Sequence, residues 1–185
     1  MPRADAIRNR ERILTAAARL FAEEGVANVS MDAVAAAAGV GKGTLYRGFG
    51  DRAGLALALL DERERELQEA FLRGPPPLGP GAPPQERLRA FLRAQLALLE
   101  SHLDLIVESE NATTGARYRS GVYAAWEAHT ALLVKELAPD ADAEVTAAAL
   151  LAPLAGDLFR HLRIERGMPA RRIERGLLAL VDRLA

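Results

Sequence analysis

This sequence predicts an all-α protein, and three observations carry that expectation. Alanine, leucine and arginine dominate while β-branched residues are scarce, which favours helix along nearly the whole chain. Apolar residues recur at helical spacing in one segment after another, and no stretch alternates with the period of two that a strand requires. Helix-ending glycines and one proline-rich stretch, GPPPLGPGAPP at 74–84, cut the chain into lengths suited to helices.

The first helix, Ala4 to Glu24, aligns Ile13, Leu14, Ala17, Leu20 and Phe21 on one face, and Gly25 stands where a left-handed residue closes it. Ser30 is a good N-cap for a short helix from Met31 to Ala38, with Asp32 in its first turn and Val34, Ala35 and Ala38 inward. Gly39 ends that helix, and Val40 reads as the buried plug of a tight turn. A second short helix, Lys42 to Phe49, buries Leu45 and Phe49, and Asp51 caps a longer one from Arg52 to about Leu72. After the proline loop, Gln85–Glu100 is amphipathic, and Ser101 can cap a further helix to Glu110. Tyr118–Leu137 carries Tyr123, Trp126, Thr130, Leu133 and Leu137 on one side. A helix from Ala141 to about Glu165 follows, costly or kinked at Pro153, then a last one from Pro169 to Leu184.

Half the residues are hydrophobic and 26% are charged, as in a folded protein rather than a disordered one. The absence of cysteine excludes a disulfide framework, a zinc finger and a thiol nucleophile. No apolar run reaches the length of a membrane helix and no signal segment is evident, so a cytoplasmic protein with no membrane partner is expected. His102, His129 and His161 lie too far apart for a metal motif, no nucleophile elbow occurs, and neither enzyme nor cofactor is expected. The net charge is −1, but residues 1–52 hold eight basic against six acidic side chains, a local +2 that leaves −3 for the remainder.

The glycines around Lys42-Gly43-Thr44 raise the question of a phosphate site. A nucleotide P-loop fails, because Lys42 is followed by Gly43 rather than Ser or Thr. Gly48-Phe49-Gly50-Asp51-Arg52-Ala53 matches a dinucleotide fingerprint, but no strand precedes it. A helix, a tight glycine turn and a second short helix form a helix-turn-helix, whose second helix would offer Lys42, Gly43, Thr44, Tyr46 and Arg47 to a major groove.

Residues 8–60, RERILTAAARLFAEEGVANVSMDAVAAAAGVGKGTLYRGFGDRAGL at their centre, resemble the tetracycline-repressor (TetR) family of bacterial transcriptional regulators. The resemblance rests on the ILxAAxxLFxxxG helix, the S-x-x-x-V-A-x-x-A-G-V segment and G-T-L-Y-R-x-F. It implies a three-helix DNA-binding domain at 1–50 and a helical ligand-binding and dimerisation domain at 51–185. It also implies that Ser30 caps the second helix and touches phosphate, that Thr44 and Tyr46 reach phosphate and groove, and that Arg47 holds phosphate. Lys42 and Gly43 fall where base-edge contacts are expected, and Arg52 replaces the lysine usual at the start of helix 4. Gly48 replaces a larger residue, often histidine or tyrosine, and Gly50 a proline or lysine-like one.

The partners so implied are double-stranded operator DNA, a small-molecule effector and a second copy of the chain. Two recognition helices related by symmetry would read a near-palindromic site. The dimer face expected from the last two helices comprises Leu151, Leu154, Ala155, Leu158, Leu162, Ile173, Leu177, Leu180 and Val181. The effector pocket expected between the proline loop and that face is lined by Leu99, His102, Leu103, Ile106, Tyr123, Trp126, Phe159 and His161, with Glu108, Tyr118 and Asp157 as polar contacts. The competing expectation is a helical ligand-binding or interaction protein whose helix-turn-helix does not bind DNA.

Overall fold

A computed structural model describes residues 2–184, with side chains from Asp5 to Leu184. Its α-helices are α1 (Pro2–Glu24), α2 (Met31–Ala38), α3 (Lys42–Phe49), α4 (Arg52–Arg73), α5 (Pro84–Glu110), α6 (Gly121–Leu137), α7 (Ala143–Leu151), α8 (Gly156–Arg160) and α9 (Ala170–Val181). No strand occurs among the described residues, and none of their helices is long and apolar enough to cross a membrane. The chain forms two compact units, one of residues 1–62 with 104–116, the other of 63–103 with 117–185.

In the first unit the apolar face of α1 (Ile13, Ala16, Ala17, Leu20, Phe21) meets Val26 and Val29, the inward face of α2, and Leu45 and Leu55. Each element ends for a local reason. Gly25 takes φ 83 and its amide donates to Phe21 O at 3.0 Å, which closes α1. The Ser30 hydroxyl accepts the Ala33 amide at 3.1 Å, as an N-cap should. Gly39, at φ 62 and ψ 40, closes α2 with its own amide on Ala36 O and that of Val40 on Ala35 O. Asp51 accepts the Gly54 amide at 2.8 Å and so caps α4. A Cβ on Gly54 would stand 2.0 Å from Phe49 O, so this position takes only glycine.

The second unit has its own core, built from Phe71, Leu88, Phe91, Leu92, Leu133, Val134, Leu151 and Phe159 with the inward face of α9. Arg93 Nε donates to Glu174 at 2.8 Å, and Arg89 pairs with Asp182, binding α5 to the α9 region. His129 is buried against two rings, stacked on Phe71 at 4.3 Å and edge-on to Phe91 at 5.0 Å. Burial there, aided by the positive charge of Arg87, lowers the His129 pKa to about 4.

Two expectations from the sequence are corrected. The break in α5 falls at His102 (φ −134, ψ 27), not at a cap on Ser101, whose hydroxyl instead donates back to Ala97 O at 2.8 Å. The helix expected from Ala141 to Glu165 is interrupted: a 3-10 turn at Ala152–Leu154, extended Ala155, α8 and a π-helical turn at His161–Glu165 replace it. Pro153 has no N–H to continue the ladder and its ring crowds the preceding turn, so the break is where the chemistry demands it. The first compact unit runs on to Glu62, since α4 packs Leu55 into its core, and it takes in residues 104–116.

Two stability predictions follow. Gly54→Ala should lower stability by about 1–3 kcal/mol, the cost of overpacking against backbone. Gly48→Ala, with nothing within 4 Å of its Cβ, should be neutral or stabilise by up to about 1 kcal/mol, since glycine is a poor helix former. Urea midpoints of the two variants measure the contrast. His129 predicts a pH effect. Between pH 6.5 and about 4 the unfolded chain protonates this ring and the folded chain does not, so stability falls with pH across that window by about 3 kcal/mol at most. His129→Leu should remove that part of the slope, read as the difference in urea stability between pH 7 and pH 5.

Candidate nucleic-acid interface

The eight residues of α3 contribute one fully buried side chain, Leu45, and one half-buried ring, Phe49. What remains is turned outward. Tyr46 is 47% exposed, Lys42, Gly43, Arg47 and Gly48 are exposed, and Thr44 is half-buried. Val40, expected as a buried plug, is half-buried against the core of the first unit. Gly41 and Gly48 leave open space where a side chain would stand, so backbone at both places is accessible.

The charges of this face are organised by local partners. Lys42 forms an ion pair with Asp32 across the turn, and that hydrogen bond is the main reason its pKa is raised. Both side chains are more than half exposed, so the pair is worth little and Lys42 can exchange it for another acceptor. Arg12 reaches from α1 to Gly39 O at 3.2 Å, putting a cation at the negative end of α2. Arg47 donates to Thr44 Oγ1 at 3.5 Å and lies along the face of Gly43. Arg10 stacks on the Phe49 ring, its guanidinium carbon 4.9 Å from the centroid.

Arg52 is placed otherwise than the sequence implied. Its Nε and Nη2 donate to the two carboxylate oxygens of Glu108 at 2.7 and 3.2 Å, and its Nη1 donates to Ala27 O at 2.8 Å. Each nitrogen of the group donates one hydrogen bond within the first unit, so Arg52 clamps the first turn of α4 to Ala27 and Glu108. Glu108, expected as a polar effector contact, is the counter-ion of Arg52. The two residues are 56 apart in sequence, and periodicity gave no signal for the pair.

The expected effector residues scatter. Leu99, Ile106, Tyr123, Trp126 and Phe159 are buried core side chains, while His102 and Leu103 are half-buried. Ile106 and Glu108 belong to the first unit and the others to the second. Tyr118 is 64% exposed and meets Tyr123 edge-on, and Asp157 is exposed. His161 is exposed and paired with Glu165 at 2.6 Å. The sequence reading missed a polar group inside the second core. Arg117 is buried over the rings of Tyr123 and Trp126 at 5.0 and 5.9 Å, and Gln95, His129 and Thr130 are buried too. Gln95, His129 and Thr130 stand at core registers of α5 and α6, whereas Arg117 lies in a 3-10 turn before α6 and had no periodic signal.

The expected dimer residues divide as well. Leu151, Leu154, Ile173, Leu177 and Val181 are buried within the chain itself, where they pack into its core. Leu158 and Leu180 are exposed, and Ala155 and Leu162 are half-buried. No cluster of three metal-binding side chains occurs among the described residues.

Residues 13–59 match the model of bacterial regulatory proteins of the tetR family. An HTH-type transcriptional regulator of Staphylococcus aureus (strain bovine RF122 / ET3-1) is 50% identical over 58 residues. That match spans 31% of this chain and 31% of the relative, so the likeness in sequence covers less than a third of either. Two solved structures share the fold at greater length. NalD, the secondary repressor of the MexAB-OprM multidrug efflux pump in Pseudomonas aeruginosa, has TM-score 0.64 at 24% identity, covering 96% of each chain. The transcriptional regulator FadR from Bacillus subtilis, solved in complex with stearoyl-CoA, has TM-score 0.68 at 16% identity, covering 92% of this chain and 96% of that one.

The Arg52 clamp gives a direct test. A double-mutant cycle with Arg52→Met and Glu108→Gln should return a coupling of about 1–2 kcal/mol, as for hydrogen bonds between charged groups. Glu108→Gln alone should cost more than its partner's removal adds afterwards, because it strands a half-buried guanidinium. Additive urea stabilities would show the pair to be a surface contact of no consequence.

Proposed function

We propose, from the premise that residues 13–59 are a TetR-family helix-turn-helix domain, that the chain is a DNA-binding transcriptional regulator, a repressor released by a small-molecule effector. One observation carries the reading: α3 buries Leu45, half-buries Phe49 and Thr44, and turns Lys42, Gly43, Tyr46 and Arg47 to the outside. A helix so presented enters a major groove, where Lys42 meets the acceptor edge of guanine and the open backbone at Gly41 allows close approach. Ser30, Thr44, Tyr46 and Arg47 then hold phosphates, which fixes register without reading sequence. Arg52 acts behind them by clamping the first turn of α4 to Ala27 and Glu108.

The chain works as a homodimer on a near-palindromic operator in the cytoplasm. The apolar side chains that α8 and α9 leave exposed, Leu158 and Leu180, supply the centre of the interface. The effector site lies in the second unit, where Arg117, Tyr123, Trp126 and Gln95 put polar groups among apolar walls. NalD and FadR, which share the fold, support a regulator with an effector domain after its reading head. An effector lowers operator affinity only by favouring the conformation that fits DNA poorly.

Selection of bound sites from random duplex DNA with the purified protein should enrich a palindromic consensus. Lys42→Ala should relax that consensus at one position per half-site, at a cost of about 1–3 kcal/mol. Arg47→Ala should weaken all sequences alike. No enrichment at low salt would overturn the reading and leave a helical ligand-binding or interaction protein. Sedimentation should give twice the 19.9 kDa of one chain, and Leu158→Glu with Leu180→Glu should give that of one.

A further inference from the structure

A cleft of about 280 Å³ opens in the first unit between α1 and α3, lined by Asn9, Arg10, Ile13, Thr44, Arg47 and Phe49 among others. Its two walls are single helical faces. Ala6, Asn9, Arg10 and Ile13 follow one stripe of α1, and Thr44, Arg47 and Gly48 follow one stripe of α3. Gly48 is part of the lining, and a Cβ there would meet nothing within 4 Å, so the space beside it is open. Ile13 is buried and Phe49 half-buried, so the floor is apolar, while the rim carries two guanidinium groups and the Thr44 hydroxyl.

The two arginines are available. Neither has a carboxylate partner among the described residues, whereas neighbouring Arg8 pairs with Asp5 and Arg19 with Glu23. The Arg10 guanidinium lies over the Phe49 ring, its carbon 4.9 Å from the centroid, which holds the cation at the cleft and leaves N–H groups for an anion. Arg47 shares α3 with the residues that face outward, so the cleft continues directly from that surface.

A helix lying in a major groove has a sugar–phosphate strand on each side. On α3 the outward ridge is Gly43 and Arg47; Tyr46 flanks it on one side, Thr44 and Gly48 on the other. We propose that the cleft seats one phosphodiester of the strand on the Gly48 side, with Arg10 and Arg47 on its oxygens and the deoxyribose over Ile13 and Phe49. The proposal rests on the DNA-binding reading above. It makes α1 part of the DNA surface, and it gives the glycine at 48 a purpose. Arg10 supplies from the neighbouring helix a cation that position 48 does not carry, and a large side chain at 48 would close its path.

Affinity for sonicated mixed-sequence duplex DNA, measured between 50 and 300 mM salt, tests it. Arg10→Ala should lower affinity about 3- to 10-fold at low salt and reduce the slope of log affinity against log salt by about one. Arg10→Lys should restore the slope, and Gly48→Leu, which fills the cleft, should weaken binding while leaving the urea midpoint unchanged or higher. In 15N spectra the DNA should shift the Gly48 and Thr44 amides, and inorganic phosphate at the same concentration of phosphate groups should not. An Arg10→Ala protein with the parent's slope and affinity overturns the cleft alone. Saturable shifts with inorganic phosphate overturn the DNA strand as its occupant and point to a free anion. A parent protein that does not bind duplex at 50 mM salt overturns the DNA-binding reading itself.

Discussion

The burial of Leu45 is the contact on which the outward surface depends. An eight-residue helix containing two glycines does not persist by itself, since each glycine costs about 1 kcal/mol and nucleation is unfavourable. Full burial of one leucine returns about 1.5–3 kcal/mol, which roughly offsets the two glycines. The remaining stability of α3 must come from the turns at its ends. Gly39 and Val40 close one through their amides on α2, and the Asp51 cap with the tight Phe49–Gly54 approach closes the other. Held by its ends and one side chain, α3 keeps the rest of its surface free for contact.

Helix dipoles explain the placement of two of the charged pairs. Asp32 in the first turn of α2 sits where negative charge is favoured, and Lys42 in the first turn of α3 sits where positive charge is not. Their pairing compensates Lys42 without burying it, so the lysine stays exchangeable. Arg52 and Glu108 are both at adverse helix ends, an arginine opening α4 and a glutamate in the last turn of α5. Each corrects the other, and the carbonyl of Ala27 accepts a further N–H of Arg52. This is why the last turn of α5 belongs to the first unit: its end charge is satisfied there.

The first unit was legible in the sequence because its signals are local. Caps at Ser30 and Asp51, a left-handed glycine at 39 and apolar residues at i, i+3 and i+4 all lie within a few residues of what they specify. The rest depended on contacts that spacing does not encode. Leu151, Leu177 and Val181 lie on a stripe fit for either a core or an interface, and periodicity cannot choose between them. Pro153 was read as a kink in one helix, but the neighbouring extended Ala155 made it a break, which turned Leu158 outward and left Leu154 inward. Arg52 and Glu108 were each assigned a ligand of their own, since nothing in the sequence joins two residues so far apart.

Net charge could not say what this chain meets, and the reason is visible in the distribution of its ion pairs. The excess of +2 in residues 1–52 is small, and most cations there are engaged: Arg8 by Asp5, Arg19 by Glu23, Lys42 by Asp32, Arg12 by the Gly39 carbonyl and Arg52 by Glu108. Among the described residues Arg10 and Arg47 alone of that set have no oxygen partner beyond a threonine hydroxyl, and both line the same cleft. A chain of net charge −1 therefore presents concentrated positive potential at one edge of α3. Charge that is paired elsewhere and left unpaired at one place binds a polyanion in one orientation, whereas evenly spread charge would bind it in many.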